Sequence, residues 1–327
     1  MPNRSETQKL KWAPILKKQQ LANQKKGADT TIGSKLIMTP IFNQSVIDVS
    51  GPDAEAFLDS QLTSDVKNIK IKSLTRSGYC NPKGRLIATP YVIRNANSFN
   101  LLLPNDLVDE FISRISRFIL RAKVSINEND ALAIVGVIAQ AGAEISIREF
   151  DELDNEILEI NSRQGFILCP FDSLESLESL ESFWVRTTQS YLSSQFEHWE
   201  VENIRNGIVN IGDATKEQFL PQMINLEKHK GVSFTKGCYP GQEIVARTKY
   251  LGSVKRKLCH FRSDSLIDQG TAIFTSEGTP CGIVCHTSRK SNESDNQEGL
   301  AVIHINNIDD DKLKTSDSIS INAVRLI

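Results

Sequence analysis

Lys236-Gly237-Cys238-Tyr239-Pro240-Gly241-Gln242-Glu243 carries more chemistry than any other stretch of the chain. Two glycines flank a cysteine, with a lysine before it and a carboxylate after it. Glycines so placed mark a positive φ or a close approach by another backbone or a ligand. A lysine beside a thiol favours the thiolate, the form that attacks electrophiles and binds metals. The plainer reading is a turn leading into a strand, Ile244-Val245-Ala246, with Cys238 as a small buried hydrophobe. The octapeptide alone leaves both open, and its surroundings decide how it is weighed.

Upstream stand Phe219-Leu220-Pro221-Gln222-Met223-Ile224-Asn225-Leu226 and Gly231-Val232-Ser233-Phe234-Thr235, and downstream Ala246-Arg247, Tyr250-Leu251-Gly252 and Lys255-Arg256. Earlier in the chain come Gly51-Pro52-Asp53-Ala54, Phe57-Leu58, Leu62-Thr63-Ser64-Asp65-Val66 and Tyr79-Cys80-Asn81-Pro82-Lys83-Gly84-Arg85. This long ordered pattern resembles the signature of the YgfZ-type folate-binding proteins, relatives of the glycine-cleavage T-protein, an aminomethyltransferase. The resemblance runs from Val46 to Arg256 and weakens between Asp130 and Phe183.

The resemblance implies an α+β fold of three domains around a central opening, two α+β parts and a C-terminal β-barrel. The expected division is a helical N-terminal segment over 1–44 and a first α+β domain over 45–122, completed by 195–250. A second α+β domain over 123–194 and the barrel over 251–327 follow. It further implies tetrahydrofolate or a derivative as cofactor. The implied role is an accessory one in iron–sulfur protein assembly or repair that affects tRNA methylthiolation. Partners would be the assembly machinery or its client enzymes. Cys238 inherits the role of functional thiol. Lys236, Tyr239, Gln242 and Glu243 match the family motif and join the cofactor-binding candidates. Two departures stand out. The aminomethyltransferase carries an Asp on the strand after the first hairpin, where this chain reads Leu86-Ile87-Ala88-Thr89-Pro90. An acid also commonly precedes the small-residue-Gly pair, where this chain has Arg205-Asn206-Gly207. Aminomethyl or one-carbon transfer on tetrahydrofolate is therefore the alternative rather than the leading reading, and Arg205 joins the candidates for folate contact.

Composition bounds the rest. The 327 residues exceed one ordinary core. The chain is 39% hydrophobic and 24% charged, near the average for soluble globular proteins. A net charge of −2 gives no global basic field for nucleic acid. The longest apolar run, Ala131 to Ala139, is far short of the roughly 20 residues of a membrane span. Leu10-Lys11-Trp12-Ala13-Pro14 breaks any secretory leader core. A cytoplasmic monomer with six reduced cysteines is the expectation. The lysine-rich segment Ser5 to Lys26 reads as a solvated helix start.

Apolar periodicity predicts strands at 45–50, 77–80, 86–93 and 99–103, and helices after Gly51-Pro52 and over 107–120. Ala131 to Ala139 reads as a buried strand, and 193–206 as a helix with Trp199 in the core. The repeats over 173–181 read as a surface insertion or short helix, and 291–297 as a polar loop. Short β-rich runs fill the chain from Lys257 on. Cys281 and Cys285 would share one strand face about 13 Å apart, too far for one metal. No zinc spacing, P-loop or GxGxxG occurs. Lys83 and Arg85 either cap a hairpin tip or face an anionic ligand. Arg247 and Lys249 share one face if Ile244-Val245-Ala246 continues as a strand, placed to pair with a folate glutamate tail.

Overall fold

The computed structural model describes residues 3–26, 36–140, 142–145, 157–172, 179–188, 192–252, 254–288, 297–310 and 312–327. They form an α+β protein of several sheets.

The first sheet contains β2 (Gln44–Ser50), β3 (Ser73–Arg76), β6 (Tyr91–Arg94), β7 (Ser98–Pro104) and β8 (Ser125–Asn129). Its order is β3-β6-β7-β2-β8, antiparallel throughout. A two-stranded ribbon, β4 (Tyr79–Cys80) with β5 (Leu86–Ala88), projects beside it. The sequence reads 86–93 as one strand, but Pro90, which has no N–H to give a ladder, separates β5 from β6. Helices α2 (Ala54–Gln61) and α3 (Val108–Ser116) set Phe57, Leu58, Phe111 and Ile115 into the core under this sheet.

In the second sheet β1 (Leu36–Ile41), β9 (Leu132–Ala139), β10 (Leu158–Asn161), β11 (Gln164–Pro170) and β12 (Leu192–Ser193) lie in the order β10-β11-β9-β1-β12. Residues 36–41 were expected in a helical segment, but Leu36-Ile37-Met38 and Ile41 supply a half-core pattern and pair along the length of β9. Of the apolar run 131–139, residues 133–139 are buried on both faces. Ala133, Val135 and Val137 enter one core, Ile134 and Ile138 another, as period-2 alternation dictates. Helix α5 (Phe196–Arg205) lies on that second face with Trp199 fully buried. A Cβ at Gly136 would stand 2.6 Å from the Trp199 ring, so glycine there makes room for the indole.

Helix α1 (Arg4–Lys26) is more than a solvated stretch. Trp12 and Ile15, one turn apart, are buried against α4 (Leu180–Thr187), with Trp12 and Trp184 edge to face at 4.9 Å. Arg4 pairs with Asp109 at 2.6 Å and Glu128 at 3.0 Å. Of the repeats over 173–181 and the polar loop 291–297, residues 173–178 and 291–296 lie outside the described residues.

The C-terminal sheet comprises β13 (Arg256–Ser263), β14 (Ala272–Phe274), β15 (Pro280–Thr287), β16 (Gln297–His304), β17 (Lys314–Thr315) and β18 (Asn322–Leu326). Its order, β17-β14-β15-β16-β13-β18, is an open row, and among the described residues no pairing closes it into the expected barrel. The sheet is not an isolated unit. Leu258, Cys285, Leu300 and Val302 join the core of the first sheet, while Cys259, Cys281, Ala301 and Ile303 line a separate one. Cys281 and Cys285 therefore face different cores rather than one. A register shift against β14, where Gly282 and Pro280 pair with consecutive residues Ile273 and Phe274, leaves Cys281 as an extra residue and inverts the alternation before Ile283.

Candidate functional site

The residues after Gly241 form a helix, α6 (Gln242–Tyr250), where the sequence reading expected a strand through Ile244-Val245-Ala246. The β-branched pair is outvoted by what surrounds it. Gly241 adopts φ +80° as the N-cap, Glu243 lies in the first turn at the positive end of the dipole, and Arg247 and Lys249 lie in the last. Only Val245 of the helix is fully buried, and its carbonyl accepts from Gln222 Nε2 at 2.8 Å. On a helix, Arg247 and Lys249 are about 200° apart rather than on one face. Both are exposed, and Lys249 pairs with Glu227 at 3.1 Å.

Gly241 is where the motif meets the front hairpin. A Cβ there would lie 2.5 Å from the Asn81 carbonyl oxygen and 2.7 Å from the Gly84 backbone. Gly84, at φ +70°, has Gly241 O and Ile244 as its nearest neighbours in turn. The hairpin tip is rigid, because Asn81 Oδ1 accepts from the Lys83 and Arg85 amides at 2.9 and 3.0 Å. Arg85 donates to the Gln218 carbonyl at 2.6 Å, and Lys83 is exposed at the tip. Gly237, by contrast, has nothing within 4 Å of a built Cβ and needs no glycine for space.

Lys236 does not serve the thiol. Its side chain is 2% exposed, and its ammonium donates to the carbonyls of Asp59, Leu62 (2.8 Å) and Ser64 (3.0 Å), with Asp59 Oδ1 at 3.4 Å. Three N–H donors meet four acceptors, which leaves none for Cys238. The ammonium caps the C-terminal end of α2, where a cation complements the helix dipole. Burial pushes Lys236 below the usual lysine range, and Asp59 pulls it back. Tyr239 packs beneath, 6% exposed, with Lys236 Nζ 5.4 Å from its ring centroid. Burial, with the Cys80 thiol nearby, raises the Tyr239 hydroxyl, which finds no hydrogen-bond partner. Cys238 is exposed between these anchors, whereas the other five cysteines are buried. Burial pushes the thiols of Cys80 and Cys259 up to about 12 and raises those of Cys281 and Cys285. Gln242 is half-buried and Glu243 exposed.

Arg205 sits apart from this loop. Its guanidinium pairs with Glu298 at 3.2 Å and Glu202 at 3.5 Å, tying α5 to β16. Glu298 also meets His260 at 3.1 Å, and burial keeps that imidazole below the usual histidine range.

The sequence reading missed an interior polar cluster. Arg76, 4% exposed at the end of β3, donates from Nη2 to the Val209 carbonyl, Asn210 Oδ1 (3.1 Å) and Thr89 Oγ1 (3.4 Å). Its Nη1 lies 3.5 Å from the Tyr91 hydroxyl, and the guanidinium is 5.0 Å from the Tyr91 ring centroid. Among the described residues no carboxylate pairs with it, and burial pulls it below the usual guanidinium range. Arg76 Nε and Asn210 Nδ2 have no acceptor. Arg76 and Tyr91 line a cavity of about 480 Å³ with Thr75, Ile160, Asn161 and His229. Burial, and next the Arg76 charge, hold His229 down at about 4. Val209 and Asn210, which give Arg76 two of its acceptors, are more than 130 residues away in sequence, and no local spacing announces them.

Set against known proteins, the chain is 30% identical over 230 residues to the tRNA-modifying protein YgfZ of Edwardsiella ictaluri, covering 67% of this chain and 69% of that one. The chain belongs to the YgfZ family. An uncharacterized protein of Haemophilus influenzae is 32% identical over 219 residues, covering 66% of this chain and 70% of that one. No protein-family model matches the chain. Among solved structures, the glycine cleavage system aminomethyltransferase T from Bartonella henselae superposes with a TM-score of 0.67 over 95% of this chain and 88% of its own. At 14% identity that likeness establishes a shared fold. The motif at 236–243 and the hairpin at 81–85 abut at Gly241 and Gly84. Arg76 lies outside both.

Proposed function

We propose that this YgfZ-family chain is a folate-binding accessory factor for the assembly or repair of iron–sulfur proteins, acting through the Cys238 thiol and thereby serving tRNA methylthiolation. The observation that carries the reading is a single exposed sulfur on a loop anchored on both sides, by Lys236 on α2 and by Gly241 on the hairpin. An exposed, positioned thiol is what transient contact with a client or its cluster requires.

Folate enters through the sequence resemblance, and the interior cavity fits a ligand of its kind. Its volume lies in the range of small-molecule sites, and Arg76 on its wall keeps Nε–H without an acceptor among the described residues. The reading includes three domains around a central opening, with the boundaries expected from sequence, and a cytoplasmic monomer whose partners are iron–sulfur assembly proteins or their clients. Among the described residues no helix is long and apolar enough to cross a membrane.

Aminomethyl transfer fits less well. Residues 86–90 hold no carboxylate, and Thr89 among them accepts from the Arg76 guanidinium. A buried cation there raises the free energy of any protonated amine beside it.

Cells lacking the chain test the proposal. They should lose tRNA methylthiolation and other iron–sulfur enzyme activities while glycine cleavage persists. The wild-type chain should restore them, and Cys238→Ala should fold yet fail to. Full rescue by Cys238→Ala would reduce the loop to a structural turn. Aminomethyl transfer from a lipoyl carrier to tetrahydrofolate by the purified chain would establish the enzyme instead.

A further inference from the structure

We propose that the cavity at Arg76 receives the carboxylate end of its ligand, with the Arg76 guanidinium as the charge partner. A buried guanidinium is costly unless an anion or several good acceptors surround it. Here Nη2 finds three acceptors and Nη1 only the Tyr91 hydroxyl at 3.5 Å. Nε–H points at nothing, and the neighbouring Asn210 amide, joined to Arg76 by a 3.1 Å hydrogen bond, also keeps an N–H without an acceptor. Arg76 thus brings to the cavity wall one orphaned donor and a positive charge that no carboxylate among the described residues pairs. A planar carboxylate supplies both missing things, negative charge and two acceptor oxygens in one plane.

The cavity suits such a guest. Tyr91 gives it an aromatic wall, and Leu74 and Ile160 give it apolar surface. Glu144 and Glu159 also line it, but both are exposed, where water and salt screen them, whereas Arg76 acts from the dry inner end. The class of ligand is thus an aromatic or aliphatic small molecule ending in a carboxylate. The inference rests on the folate reading in one respect: if the guest is folate, its glutamyl end, rather than its pterin, enters at Arg76.

Three probes separate the possibilities by calorimetric titration of the full chain: tetrahydrofolate, N-(4-aminobenzoyl)glutamate, which is the carboxylate end alone, and tetrahydropterin, which is the ring alone. Binding of the carboxylate fragment is expected, weakened about tenfold or more in Arg76→Gln and less in Arg76→Lys, which keeps the charge and loses the fork. Any tetrahydropterin binding should be unchanged by either substitution. If tetrahydrofolate binds wild type and Arg76→Gln equally, the inference falls and the folate reading stands. If the carboxylate fragment binds in an Arg76-dependent way and tetrahydrofolate does not bind, the folate reading falls and the inference stands. If the fragment fails to bind wild type at millimolar concentration, the inference is overturned. Should Arg76→Gln not fold, the guanidinium Nε–H resonance of Arg76 in ¹⁵N-arginine-labelled wild type decides. It should shift on saturation with the fragment, and an unmoved resonance overturns the inference.

Discussion

Lys236 and Cys238 are two residues apart, yet one is 2% exposed and held by three carbonyls, while the other is exposed to solvent. The same contrast divides the two glycines. Gly241 is pressed against Asn81 and Gly84, and Gly237 touches nothing. The loop is anchored at both ends, at Lys236 and Gly241, and open at Gly237 and Cys238 between them. A motif read as a reactive centre is therefore two devices in one stretch, with most of its residues fixing a backbone so that one sulfur can be presented.

The largest effect expected from that division is in thiol reactivity. Iodoacetamide at pH 8 should modify Cys238 before any other cysteine. Cys80 and Cys259, pushed up to about 12 by burial, present roughly one part in ten thousand as thiolate at that pH. The preference comes from exposure and not from Lys236, so it should survive Lys236→Met whenever that variant is folded. Mass-spectrometric mapping of time-limited labelling checks this, and simultaneous labelling of the buried thiols would break the contrast.

The anchor should then show in stability. Lys236→Met leaves Asp59 and the end of α2 without their buried cation. It should cost about 3–5 kcal/mol in urea unfolding, as breaking a buried pair does. Gly241→Ala should cost about 2–4 kcal/mol, since it combines a strained positive φ with a Cβ forced into backbone. Gly237→Ala should stay within about 0.5 kcal/mol of wild type, as an open surface site does. Equal losses at the two glycines would mean that the open stretch is anchored after all.

The smallest effect concerns acid stability. His229 titrates at about 4 in the folded chain against 6.5 in its absence. Between these values the unfolded chain binds the extra proton, so stability falls as pH drops from about 6.5 toward 4 and is unaffected by His229 above that window. In His229→Gln the pH dependence of the urea midpoint across that window should flatten. An unchanged slope would show that the cavity wall at Arg76 does not govern this histidine.

Local pattern was enough for much of the molecule. The strand at 132–139, the helix over 196–205 with Trp199 in the core and the hairpin at 81–84 are all written in short-range spacing, because alternation, helical period and turn chemistry act over a few residues. Family membership was equally legible, since an ordered motif survives without any contact being known. Tertiary structure decided the rest. Ile244-Val245-Ala246 has strand composition, but the left-handed Gly241 and the packing of Val245 under Gln222 make it the first turns of a helix. Residue spacing put Lys236 beside the thiol, but Asp59, Leu62 and Ser64, more than 170 residues away in sequence, take all its donors. Cys281 and Cys285 are parted by the bulge at Cys281 against β14. The Arg76 cluster joins residues from both halves of the chain, and a buried charge is defined by what surrounds it in space. A sequence names the groups that can bond; only the fold, by bringing distant acceptors within 3 Å or leaving a donor without one, settles which of them do.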